Sequence, residues 1–239
     1  MMNKKIIFAS IVYPTRSSEQ DALLLAESLR AFAGSMADLP IWFFFPQIGK
    51  PLSRVFLERL QPLKVELTSF EADPEVIRFP LAGDVLAATT AEEAASQEDI
   101  LVWLGANTLL LQEPGAFILD NRKDIGYRPV HHTNIGSPYI HPPDPFWALI
   151  YQTCQVSPEC IFPMKTHVDG AIIRPYFNAS SLAVRPKMKL FQRWQEVFLA
   201  AFHQPVFENF YRQDQRYAIF MHQAVLAGVI LASLAPNRM

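Results

Sequence analysis

Three places in the chain bring together residue types that do chemistry. In Asp99 to Leu111, DILVWLGANTLLL, an apolar run is broken at Gly105, Ala106 and Asn107 and then resumes. An unbroken apolar run reads as a parallel strand covered on both faces, and a polar break at its end faces the crevice where open α/β sheets bind ligands. The second place is HHTNIGSPYIH, whose His131, His132 and His141 are within reach of one metal ion. Adjacent histidines rarely ligate together without the spacing of a helix or knuckle. The preferred reading is therefore a loop lining a cleft, with Asn134 and Tyr139 offering polar contacts. The third is VDGAII followed by RPYFNASSLAVRP. There Asp169 could act as a base or hold a hydroxyl, and Asn178 could hydrogen-bond one. Each also has a plainer reading, Asp169 with Gly170 as a tight turn between strands and Asn178 as a turn or cap residue.

Other chemistries lack their signatures. None of the nine glycines forms GxGxxG or GxxxxGK[ST], which argues against dinucleotide oxidoreductases and P-loop enzymes, and neither GxSxG nor HExxH occurs. Cys154 and Cys160, five residues apart from one another in the intervening count, fit neither zinc spacings nor a CxxC pair and read as reduced structural thiols. A net charge of −2 gives no basic field, so no nucleic-acid partner is expected. The run Ile6 to Tyr13 is too short for a secretory core, and the tract Ala224 to Ala235 falls short of the roughly 20 residues of a membrane span. A cytoplasmic protein without a membrane span is the expectation.

The elements that must position these residues alternate between strand and helix, the pattern of a mostly parallel sheet wound with helices. Half of the 239 residues are hydrophobic and 18% are charged, enough to bury one large core. Lys4 to Tyr13 reads as the first strand, leaving through Pro14-Thr15-Arg16-Ser17-Ser18, with Ser18 able to cap the next helix. Leu23, Leu24, Leu25, Leu29 and Phe32 would give that helix its apolar face, and Gly34 its C-terminal stop. Then come a strand at Ile41 to Phe45, and a short helix opened by Pro51 with Val55, Phe56 and Leu60 on one side. A strand at Val65 to Phe70 and an Ala-rich helix from Leu81 to Ala95 lead into the strand at Asp99. After Gln112 the pattern changes to proline-rich loop around a short strand near Ile125 to Val130, then helix from Pro145 to Gln155. A β-rich part over 171–184 follows, and helices close the chain at Met188 to His203 and about Gln213 to Leu231. One domain over 1–239 is expected, its pattern changing after residue 111.

In this order the motifs resemble those of the nucleotide-diphospho-sugar transferases of GT-A fold, nearest the glycogenin-like branch. FASIVYPTRSS is similar to the segment where that family holds base and ribose, which implies donor contacts from Ala9, Ser10, Tyr13 and Arg16. DILVWLGANTLLL resembles its strand ending in Asp-x-Asp, and RPYFNASSLAVRP its Phe-Asn-Ser-Gly segment. HQAVLAGVI resembles its Asp-Gln segment, with His222 in place of the Asp and Gln223 kept. The resemblance implies a nucleotide-sugar donor, a glycan or small-molecule acceptor, a nucleotide-binding half over 1–111 and an acceptor-side half over 112–239, donor contacts at Gly105 and Asn107, and catalytic roles for Asp169, Asn178 and Gln223. The family's two carboxylates hold Mg²⁺ or Mn²⁺ against the diphosphate. Gly105 supplies no ligand and Asn107 one neutral oxygen, so no dedicated divalent site is expected. Where relatives often carry a basic residue, PLAGDVLAA presents Asp84, an anion facing a diphosphate. Two functions follow: sugar transfer without the Asp-x-Asp metal site, with Arg16 steadying the departing diphosphate, or a non-catalytic relative that binds a nucleotide, glycan or protein partner.

Overall fold

The structure is a computed structural model describing residues 5–239; Lys4, assigned above to the first strand, lies outside the described residues. Among the described residues there are eight strands, β1 (Ile6–Ile11), β2 (Ile41–Pro46), β3 (Val65–Phe70), β4 (Ile100–Leu104), β5 (Ile125–Pro129), β6 (Met164–Lys165), β7 (Ile172–Ile173) and β8 (Phe177–Val184). The main sheet has the order β3-β2-β1-β4-β8-β5, and β6 pairs with β7 in a separate hairpin. β1 to β4 run parallel, whereas β8 runs antiparallel to both β4 and β5. The helices are α1 (Arg16–Phe32), α2 (Arg54–Leu60), α3 (Pro74–Ile77), α4 (Ala82–Ala94), α5 (Pro145–Cys154), α6 (Leu190–Ala201), α7 (Pro205–Gln213) and α8 (Gln215–Ser233).

Side chains alternate across a strand, so β1 sends Ile7, Ala9 and Ile11 to one core and Ile6 and Phe8 to the other. The first core is completed by α4, α5, α6 and α8, the second by α1 and α2. Cover on both faces is why β1 and β4 read as unbroken apolar runs.

Several expectations change. β4 ends at Leu104, because Gly105 to Asn107 turn: the Thr108 N–H donates to the Gly105 carbonyl at 2.9 Å. The resumed apolar run is therefore loop, with Leu109 and Leu111 exposed and Leu110 alone buried. Thr15, not Ser18, caps α1, and the Ser18 hydroxyl instead accepts the Tyr13 N–H at 2.8 Å. Leu24 and Phe32 of that helix face solvent. α2 starts three residues after Pro51, at Arg54, because the Ser53 hydroxyl accepts the Phe56 N–H, and this turns Val55 outward. α3 and α7 are additional, each opened by a proline at a position that needs no amide donor. α8 is longer than the tract Ala224 to Ala235 and is apolar and long enough by composition to cross a membrane; Met221 to Leu231 are buried within the domain.

α8 reaches its buried position by crossing α5 closely. A Cβ on Gly228 would lie 2.4 Å from the Cys154 Sγ, so only glycine fits there against that thiol. Burial pushes the Cys154 thiol up to about 12, which leaves it a small inert packing group. Gly228→Ala is expected to lower unfolding stability in urea by about 2 kcal/mol through overpacking, and Cys154→Ala in the same chain to restore most of it. An equal loss in the double variant would show that the crossing is set elsewhere.

Candidate functional site

Strand register determines which residues meet. Ala9 pairs with Trp103 across β1 and β4, Leu104 pairs with Ser181 across β4 and β8, and the Gly105 N–H donates to the Ser180 carbonyl at 3.0 Å. The end of β1, the end of β4 and the start of β8 therefore share one edge of the sheet. Tyr13, Gly105 to Asn107 and Asn178 to Ser180 all belong to that edge.

The N-terminus of α4 closes the edge from one side. Leu81, its cap, is held in the left-handed region at φ 59°, a conformation a branched residue adopts only when its surroundings impose it. A Cβ on Gly83 would lie 2.1 Å from the Tyr13 hydroxyl, so the missing side chain is what lets Tyr13 lie across the start of the helix. That hydroxyl donates to Asp84. Burial pushes the Asp84 carboxyl up to about 6, against the smaller opposing pull of its own backbone N–H and of Tyr13. Burial, reinforced by the charge of Asp84, drives the Tyr13 phenol far above its ordinary range and keeps it a donor.

The other expected residues are distributed as follows. Ala9 and Ser10 lie inside β1, 2% and 0% exposed, so their side chains are enclosed by the sheet's own packing. Arg16 is exposed in the first turn of α1 and lines, with Glu19, Phe56 and Arg59, a groove of about 300 Å³ between α1 and α2. Gly105 is buried and Asn107 exposed. The Asn178 side-chain Oδ1 accepts the Ser180 N–H at 2.9 Å, a local turn of the kind its alternative reading described. Gln223, on buried α8, accepts the Ala179 N–H at 3.2 Å and so acts on the edge through the backbone of β8. Its neighbour His222 is 5% exposed, and burial pushes it down to about 4, which makes it a neutral core residue.

Asp169 sits apart from this edge, in the turn of the β6–β7 hairpin beside Gly170 at φ +67°. It accepts the Thr166 hydroxyl, the Thr133 N–H at 2.9 Å and the Thr133 hydroxyl at 3.2 Å. These donors hold its carboxyl down at about 2, too acidic to take a proton from a hydroxyl near neutral pH. The histidines of the loop separate: the His131 ring faces His167 at 5.9 Å, His132 stands 4.0 Å from Asp169, and the His141 carbonyl accepts from Arg174.

The edge does not fit a metal held by two carboxylates. A Cβ at position 105 would lie 2.9 Å from the Ser180 Cβ and 3.1 Å from the Asn107 Oδ1, which leaves no room for an aspartate. Among the described residues no three His, Cys, Asp or Glu side chains gather to hold an ion. Ser180 and Gly83, which shape the site most directly, were not singled out in the sequence; the polar alternation of Asn178 and Ser180 along β8 was the available signal.

Residues 9–233 match the family model described as the Rhodobacterales glycosyltransferase domain. The chain belongs to this family. No curated protein matches it by sequence. Among solved structures it is similar to the galactosyltransferase LgtC in complex with donor and acceptor sugar analogs, at 13% identity and TM-score 0.51, covering 96% of this chain and 72% of that one. It is also similar to the mannosyltransferase Ktr4p from S. cerevisiae, at 10% identity and TM-score 0.52, covering 98% of this chain and 66% of that one. These likenesses establish a GT-A fold, with its mixed central sheet flanked by helices.

In this glycosyltransferase-family chain, Asp84 is expected to titrate near pH 6 in a carbon-detected NMR series, and Tyr13→Phe, by removing a donor, to move the midpoint upward. The folded value lies above that of an unfolded aspartate, about 3.9. Stability should therefore fall as pH rises from about 4 to about 6, and Asp84→Asn should flatten that fall. A midpoint near 4 would show that the carboxyl is solvated.

Proposed function

We propose that this chain is a glycosyltransferase that receives a nucleotide-sugar donor along the β1–β4–β8 edge, without a two-carboxylate metal clamp. The observation that carries the reading is the convergence of Tyr13, Gly83, Asp84, Gly105, Asn107, Asn178 and Ser180 on one edge, in a chain whose family match spans nearly its whole length. Gly105, bare of a side chain, lets Ser180 and Asn107 close over the end of β4, and these two exposed residues present polar groups to sugar hydroxyls. Arg16 is the cation nearest in sequence to the edge and would steady the departing diphosphate, the role that charge stabilisation must fill in such a transfer. Gln223 is a positioning residue that holds β8. The glycogenin-like assignment rests on Phe177-Asn178 and Gln223, and the acceptor would lie on the side of residues 112–239.

Asp84 favours a second reading, a non-catalytic relative that binds a partner through the same edge, because a carboxylate there repels a diphosphate once it ionises. The two readings separate in one series: thermal unfolding with UDP-, GDP-, ADP- and CMP-sugars, each with Mn²⁺ and with chelator, at pH 5 and pH 8. At least one donor should stabilise the fold equally with either additive, by about 2.7 kcal/mol at a hundredfold excess over Kd. Binding should weaken at pH 8, and Asp84→Asn should restore it. No stabilisation by any donor would overturn transfer in favour of the partner-binding reading. A shift that needs Mn²⁺ would overturn the loss of the metal clamp, and donor binding without release of free nucleotide to any acceptor would leave a binding protein.

A further inference from the structure

Buried arginines in this molecule are treated in two different ways. Arg185, 7% exposed, lies 3.7 Å from the carboxylate of Asp124, itself 4% exposed, and donates to the Lys123 and Asp120 carbonyls. Arg174 is 8% exposed and has no ion-pair partner among the described residues. It donates to the Ser137 hydroxyl at 3.2 Å and to the Pro138 and His141 carbonyls, all neutral acceptors. A guanidinium carries five N–H donors. These bonds use both on Nη1 and one on Nη2, which leaves Nε–H and the second Nη2–H without an acceptor among the described residues.

Arg174 opens into a pocket of about 620 Å³ that it lines with Tyr139, Pro143, Tyr151, Val156 and Ile161. The guanidinium lies 5.9 Å from the centre of the Tyr139 ring, which fixes its plane. Tyr151, 7% exposed, carries a hydroxyl buried without any hydrogen-bond partner, and the charge of Arg174 acts on that hydroxyl. Asp144 also bears on Tyr151 but is committed as the cap of α5, accepting the Trp147 N–H at 3.0 Å. A buried cation without a counter-charge and a buried phenol without an acceptor, side by side in one pocket, each carry a desolvation cost that a single ligand group would relieve.

We propose that this pocket binds a small organic acid, its carboxylate received by Arg174 and the Tyr151 hydroxyl and its apolar body by Pro143, Val156 and Ile161. A carboxylate offers two acceptor oxygens in the geometry of the guanidinium fork and accepts a phenol as well. The remaining wall is apolar and aromatic, which selects a hydrocarbon or aromatic body over a hydrated inorganic anion. Arg174 precedes Asn178 by four residues on the approach to β8, so the pocket adjoins the start of that strand. The site stands whether or not a donor occupies the β1–β4 edge.

The test is calorimetric titration of the full chain with cinnamate, phenylacetate and octanoate, alongside the matched amides, with the Arg174 Nε–H resonance followed by NMR. At least one acid should bind and move that resonance, and its amide should bind at least about tenfold more weakly. Tyr151→Phe, which removes a hydroxyl that bonds nothing in the free protein, should leave thermal stability unchanged or higher and weaken the acid by about tenfold. Arg174→Gln should abolish binding, but it also removes bonds that hold the 137–141 loop, so Tyr151→Phe is the deciding variant. Amides binding as tightly as acids, unchanged affinity in Tyr151→Phe, or no binding of any acid at millimolar concentration would each overturn the proposal.

Discussion

β8 lies between β4 and β5 and runs against both, so its first residues emerge where β1 and β4 finish. A buried strand must satisfy its amides on both sides, and a slip of one residue would exchange the faces of Phe177, Ala179 and Leu182. The pairing with β5 shifts register between Tyr127 and Pro129, which interrupts the ladder near the middle of β8. At that interruption the Ala179 N–H goes instead to Gln223 of α8. The core helix thus supplies an acceptor that the sheet cannot, and the Asn178 to Ser180 segment is held beside Gly105.

This placement decides the chemistry available at the edge. Ser180 occupies the space a side chain at position 105 would need, so a carboxylate there and the present packing of β8 are mutually exclusive. On the other side of β4's end, Tyr13 crosses the start of α4 only because Gly83 has no side chain, and its hydroxyl bonds a carboxyl whose burial keeps it half-neutral near pH 6. A phenol beside a carboxyl is a device for holding a neutral hydrogen-bonding surface in a crevice.

The sheet half of the fold was legible in the sequence because burial on both faces writes itself as apolar runs. Ile41 to Phe45 and Ile100 to Leu104 fall where those runs predict, Val65 to Phe70 is a partly exposed edge strand with polar residues among its apolar ones, and the mixed GT-A sheet follows. Helix ends were less legible, since a serine or proline near a start is ambiguous between cap and neighbour; Thr15 and Ser18 exchanged roles for that reason. At the site, Gly105 to Asn107 were readable as the polar break that ends a buried strand. Which groups surround them was not, because Ser180 and Gly83 act through the absence or smallness of a side chain at a distance set by register. Asp169 reads as chemical in sequence because it is a lone acid before a β-rich segment, yet its carboxylate is taken up by Thr166 of the hairpin and by Thr133 of a distant loop, a pairing that no local pattern shows.

Residues after Gln112 obey a different logic. Few long apolar runs organise the loops between β5 and β8, and buried or saturated charges hold them instead. Asp124 bonds Arg238 at 2.6 Å while facing Arg185, which ties the C-terminal turn to the start of β5 and the end of β8. Asp169 fastens the 133 loop to the β6–β7 hairpin, and Arg174 fastens the 137–141 loop to the approach of β8. Breaking one member of a buried pair costs on the order of 3–5 kcal/mol, more than losing one methylene from a core. The loops between β5 and β8 are therefore specified by a small number of charged residues scattered through loop sequence. That is why periodicity could not reveal them, and why Arg174, the buried cation without a counter-charge, stands out from the rest.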